Sequence, residues 1–142
     1  MKHVYNDGGR KDAGYKGLTG DCATRAIAIA TGKSYQEVYD EINHLAKFEY
    51  TTKGTLHRSS ARTGVHKRTI RAYMKQLGYT WTPTMFIGKG TTVHLREGEL
   101  PRGRLVVLVS RHYCAVIDGV IHDTYDPSRE GTRCVYGYFN KA

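Results

Sequence analysis

Cys22 is the first residue whose setting suggests chemistry. It lies in Thr19-Gly20-Asp21-Cys22-Ala23-Thr24-Arg25-Ala26-Ile27-Ala28-Ile29-Ala30. Gly20 breaks regular structure, and Asp21 or Thr19 can cap a helix. The next residues are apolar almost all round, the pattern of a buried helix. A thiol at the mouth of such a helix meets unpaired N–H groups and the positive dipole end, which favour the thiolate nucleophile. The plainer reading is a small buried apolar residue, as most free cysteines are. A base decides between the two.

His112 supplies that base. Asp118-Gly119 between two apolar runs predicts a two-residue hairpin turn. With Ile117 paired to Val120, His112 falls opposite Tyr125 and Cys114 opposite Asp123, and alternation puts all four on one face. His112 and Asp123 are then diagonal neighbours, close enough for the carboxylate to hold the imidazole. Asp126 is the reserve for that role, on the other face in this register. Nucleophile, base and orienting acid are the three parts of thiol-dependent acyl transfer. The competing reading makes His112 a core histidine bonded to backbone and Asp123 an acid satisfied by turn N–H groups. A metal site from His112, Cys114 and His122 is set aside, because His122 faces the other way and no zinc-module spacing occurs. No metal or cofactor is implied.

These side chains must be positioned by helices first and strands afterwards. Residues 1–20 read as irregular, with Gly8, Gly9, Gly14, Gly17 and Gly20 breaking regularity. Residues 21–78 read as helical. The first helix ends at Gly32. The second opens with the capping box Ser34-Tyr35-Gln36-Glu37 and ends near Lys47. Residues 51–64 form a loop long enough to be functional. A third helix runs from about His66 to Leu77, with Ile70, Tyr73, Met74 and Leu77 on its apolar face. Residues 79–142 read as strands. The run Leu105-Val106-Val107-Leu108-Val109 predicts a central strand buried on both faces, and Val135 to Phe139 is expected to close the sheet. This is one α+β domain spanning residues 1–142.

The charge is unevenly spread. The chain carries 22 basic and 13 acidic residues, a net +9. No acid occurs from Tyr50 to Arg96. That segment holds Lys53, Arg58, Arg62, Lys67, Arg68, Arg71, Lys75, Lys89 and Arg96, which together equal the whole net charge. Such a segment suits a negative partner or substrate, and a solvated helix face with loops is the plainer alternative. Lys67, Arg68, Arg71 and Lys75 share the third helix. They could track nucleic-acid phosphates, with Tyr73 or Trp81 stacking bases. No known nucleic-acid-binding signature accompanies them.

The order Cys22, His112, Asp123 resembles that of papain-like cysteine peptidases. His112-Tyr113-Cys114-Ala115-Val116-Ile117-Asp118-Gly119 resembles the family's histidine strand. Ile121-His122-Asp123-Thr124-Tyr125 resembles the strand carrying its third residue. The chain is also similar to small phage and bacterial proteins of this kind. The resemblance covers roughly residues 17–45 and 104–126. It implies a thiol hydrolase acting on an amide, peptide or isopeptide bond, with Cys22 attacking, His112 moving the proton and Asp123 holding the imidazole. The family's oxyanion Gln ahead of the cysteine has no counterpart, since no Gln occurs in residues 1–35. Thr19 or Lys16 is the expected substitute donor beside the Cys22 N–H. Trp81 is read as core or cleft wall, with substrate contact the sharper option. Two alternatives stand beside the hydrolase: a nucleic-acid-binding module using residues 50–96, and an inactive papain-like scaffold used for interaction.

Composition sets the remaining bounds. With 39% hydrophobic and 25% charged residues the chain is globular rather than disordered. No run approaches membrane-spanning length. Three cysteines without CxxC spacing, and an N-terminus lacking a signal-peptide core, point to a cytoplasmic protein, bacterial or in a phage host. The expected partner is a protein or peptide substrate, acidic in character, with nucleic acid secondary and no membrane.

Overall fold

The computed structural model describes residues 1–17, 19–50 and 57–141. In chain order the elements are β1 (Lys2–Tyr5), α1 (Cys22–Thr31), α2 (Tyr35–Ala46), α3 (Lys67–Gln76), β2 (Tyr79–Pro83), β3 (Met85–Phe86), β4 (Gly90–Thr91), β5 (Arg104–Val109), β6 (His112–Ile117), β7 (Val120–Asp123) and β8 (Gly137–Lys141). Six strands form a sheet of order β1-β7-β6-β5-β8-β2, and β3 and β4 make a separate ribbon. Every pairing in the sheet is antiparallel except β1 beside β7. Helices precede most of the sheet, so the arrangement is α+β. Residues 51–56 of the expected loop, with Lys53, lie outside the described residues.

The helices start and stop where local chemistry requires. Residues 23–30 of α1 are all buried, and Gly32 ends the helix at φ 78°, its N–H donating to the Ala28 carbonyl. At α2 the Ser34 hydroxyl accepts from the Glu37 N–H at 3.1 Å. Only half of the capping box forms, because the Glu37 carboxylate takes Lys33 Nζ at 2.9 Å instead. On α3, Ile70, Tyr73 and Met74 face the core as expected.

The apolar run of β5 explains the two-sided core. Val106 and Leu108 pack towards α1, and Leu105, Val107 and Val109 pack with Cys114, Val116 and Ile121 on the other side. Each such side chain contributes about 1.5–3 kcal/mol by leaving water. The Asp118-Gly119 turn forms as expected, with both residues left-handed at φ 48° and 81° and Ile117 paired to Val120.

Two expectations are corrected. Residues 1–20 are not wholly irregular: β1 pairs in parallel with β7, Lys2 beside Val120 and Tyr5 beside Asp123. Its residues are exposed apart from the half-buried His3, so no alternating apolar pattern marks the strand. The last strand does not close the sheet at an edge. β8 lies between β5 and β2, which leaves β2 as the edge.

Gly137 lets that insertion happen. A Cβ there would lie 2.4 Å from the Trp81 ring and 2.8 Å from the Thr82 carbonyl oxygen. Trp81 also packs on Phe139, with centroids 4.8 Å apart. Gly137→Ala is therefore expected to cost about 1–3 kcal/mol through overpacking. A lowered urea midpoint checks this, and an unchanged midpoint contradicts the packing described.

Candidate active site

Three elements deliver the thiol, the imidazole and the carboxylate to one end of the sheet. Cys22 begins α1, His112 begins β6 and Asp123 ends β7. The paired register of β6 and β7 runs from Ile117–Val120 to Ala115–His122. Beyond it, His112 Nε2 and Asp123 Oδ2 meet at 2.6 Å, both buried. That bond leaves Nδ1 as the free ring nitrogen, and Cys22 lines the same cleft as His112 and Tyr113. The Tyr125 ring lies 5.2 Å from the imidazole, centroid to centroid. Cys114, expected on the same face, is fully buried in the second core. Asp126 spends its carboxylate on the Ser128 N–H at 2.9 Å.

The electrostatics favour a charged pair. Burial pushes the Cys22 thiol up, but the hydrogen bonds from His112 and the Tyr113 N–H and the charges of His112 and Arg25 outweigh it. The thiol ends below its ordinary value. Burial pushes His112 down, and the bonds to Asp123 and Cys22 outweigh that, raising its pKa to about 9. A thiolate beside an imidazolium is the state these contacts stabilise. Cys114 is its opposite: burial drives that thiol well above the ordinary range.

Sequence reasoning missed the group behind the carboxylate. Asp21 occupies the cap position of α1 but makes no cap hydrogen bond. Its buried carboxylate instead takes Arg25 Nη1, the Tyr35 hydroxyl at 2.7 Å and Arg10 Nε at 3.3 Å. Arg25 Nη2 reaches Asp123 Oδ1 at 3.4 Å. The i, i+4 spacing of Asp21 and Arg25 signalled an ion pair. The link to Asp123 is a tertiary contact with no local signal. Asp21 therefore gives α1 no side-chain cap, and the Cys22 and Ala23 N–H groups have no intrahelical partner.

That space is a cleft of about 320 Å³, lined by Gly20, Cys22, Ala23, Thr63, Gly64, Val65, Lys67, Leu108, Val109, Arg111, His112, Tyr113 and Tyr136. One wall comes from residues 63–65. It approaches Gly20 so closely that a Cβ there would meet the Thr63 carbonyl oxygen at 2.6 Å. Glu49 holds this wall from behind. Its carboxylate accepts from the Ser59 N–H at 2.6 Å and from the Ser59 and Thr69 hydroxyls. Its sequence signal is its place as the last acid before the acid-free segment. Arg111, beside His112, has a left-handed backbone at φ 56°, an uncommon conformation for a long side chain.

Other expected site residues fall elsewhere. Thr19 and Lys16 do not line the cleft; the Lys16 carbonyl accepts from Arg62 instead. Trp81 lines a second cavity with Arg71, Lys75, Tyr79, Thr80 and Phe139. The four cations of α3 divide: Lys67 faces the cleft, Arg71 and Lys75 the second cavity, and Arg68 a third hollow beside Phe48 and Glu49. Among the described residues no cluster of His, Cys, Asp and Glu could hold a metal ion. No helix among them is long and apolar enough to cross a membrane.

The chain matches no family model, no curated protein and no solved structure. Geometry and chemistry therefore carry the functional reading. The arrangement can hold a thiolate beside a proton donor in a cleft at the uncapped N-terminus of α1.

Arg25 is the part of this network most costly to remove. Arg25→Met removes the cation shared by two buried carboxylates, leaves Asp21 only the longer ion pair to Arg10, and is expected to cost about 3–5 kcal/mol. Urea unfolding of this variant beside Arg25→Lys measures it. A loss below about 1 kcal/mol, the usual worth of an exposed pair, contradicts the role given to Arg25.

Proposed function

We propose that the protein is a thiol hydrolase of papain-like type that cleaves an amide or peptide bond. One observation carries the reading: the Nε2 of His112 is fixed on Asp123 at 2.6 Å in the same cleft as Cys22, whose thiol stands below its ordinary value at the mouth of a buried helix. A structural histidine would not need a thiol of lowered pKa in an open cleft as its second partner.

The chemistry follows from those positions. The Cys22 thiolate attacks the carbonyl carbon, and the C=O π electrons move onto the oxygen. The Cys22 and Ala23 N–H groups are the donors available to that oxyanion, in place of the side-chain donor absent from this chain. Collapse reforms the carbonyl and breaks the C–N bond. The leaving amine takes the proton from His112 Nδ1. Water then attacks the thioester while His112 Nδ1 accepts its proton. The C–S bond breaks and the carboxylic acid leaves. Asp123 holds the ring by Nε2–H throughout and stabilises the imidazolium.

Peptidyl vinyl sulfones test this, because they report an activated thiol in a substrate-shaped cleft. Cys22 alone should be labelled in the wild type. His112→Ala should slow labelling by about a hundredfold or more. A peptide library should gain new termini with the wild type and none with Cys22→Ser. Equal labelling of Cys134, or indifference to His112→Ala, would contradict the reading.

A further inference from the structure

The α3 helix links the cleft to the second cavity by a line of cations. Lys67 lines the cleft, and Arg71 and Lys75 line a second cavity of about 310 Å³ that includes Trp81. Positions 67, 71 and 75 are four apart and lie one above another on a helix face. The Arg71 guanidinium sits 5.4 Å over the Trp81 ring. Its charge also acts on the phenol of Tyr113, a wall of the cleft. All three cations are exposed. None takes part in an ion pair among the described residues.

This arrangement opposes local stability. Lys67 sits at the positive dipole end of α3, and the first turn contains no acid. A cation there costs about 0.3–1 kcal/mol. A local rule broken without a folding gain points to a ligand that supplies the missing negative charge.

We propose that the substrate is an acidic polypeptide bound in extended form, running from the Cys22 cleft along Lys67, Arg71 and Lys75 to the Trp81 cavity. The spacing fits such a chain. Successive cations on the helix stand about 6 Å apart along its axis. Alternate residues of an extended strand stand about 6.6–6.8 Å apart. Acids at every second position therefore meet the three cations in turn. A peptide is favoured over nucleic acid because the second cavity is also lined by Tyr79, Thr80 and Trp81 of β2, the edge strand of the sheet. An edge strand offers an alternating ladder of N–H and C=O groups, which an extended peptide can pair in full and a phosphodiester backbone, having no donors, cannot. The proposal rests on the hydrolase reading for the reaction at Cys22, but binding along α3 needs no chemistry.

The full chain carrying Cys22→Ser separates the two. Fluorescence anisotropy is measured with a labelled peptide of alternating Glu and Ala, the same residues in two blocks, alternating Lys and Ala, and an oligothymidine. The alternating acidic peptide should bind tightest and weaken with salt. Arg71→Glu with Lys75→Glu should weaken it by about tenfold or more, while Arg102→Glu leaves it unchanged. The same peptide should shield Cys22 of the wild type from alkylation, which ties the track to the cleft. Equal binding of the block or Lys peptide, or indifference to the double reversal, overturns the proposal. Tighter binding of oligothymidine at the same salt overturns it in favour of nucleic acid. Failure of Cys22 to react with vinyl sulfones, with peptide binding intact, removes the hydrolase reading and leaves the track.

Discussion

The guanidinium of Arg25 is the contact on which the rest of the site depends. It stands between two buried carboxylates, Asp21 on its own helix and Asp123 at the end of β7. Without it, two buried carboxylates would lose the cation they share. With it, Asp123 is held from one side by Arg25 and from the other meets His112 at 2.6 Å. The same contact ties the start of α1 to the end of β7, so the helix of Cys22 and the strand of Asp123 share one anchor. The Tyr35 hydroxyl donates to Asp21 and Arg10 adds an ion pair at 3.3 Å, so the buried carboxylate is further satisfied.

Around that anchor, each side of the cleft is fixed by a different device. The floor is the β5–β6 hairpin end, rigid because β5 is buried on both faces. The near side is the helix mouth, open because Asp21 points away from it. The far wall, residues 63–65, is set by Glu49 behind it and by Gly20 in front. Among the described residues no acidic side chain lines the cleft, while Lys67 and Arg111 do.

The features legible in the sequence obey local rules. The helix led by Cys22, the Asp118-Gly119 turn and the approach of Asp123 to His112 come from periodicity and turn chemistry, and the structure brings all of them together. The features that escaped it are non-local. β1 lacks an apolar pattern because it lies exposed at the sheet edge. β8 enters between β5 and β2 because Gly137 makes room beside Trp81, and no rule of alternation encodes strand order. Asp21 was legible as a cap, and its tertiary partners drew it away. Thr19 and Lys16 were expected as oxyanion donors from their distance to Cys22 in sequence, but neither lines the cleft.

The central claim is that Cys22 and His112 form a thiolate–imidazolium pair. The pH dependence of iodoacetamide alkylation, resolved cysteine by cysteine by mass spectrometry, tests it most directly. With the thiol held below its ordinary value of 9.0 and His112 raised to about 9, Cys22 should already react fast well below pH 9. In His112→Ala its profile should move up to that of an ordinary thiol, while buried Cys114 stays unreactive in both. A Cys22 profile that rises only near pH 9 in the wild type, or that ignores the loss of His112, would contradict the account.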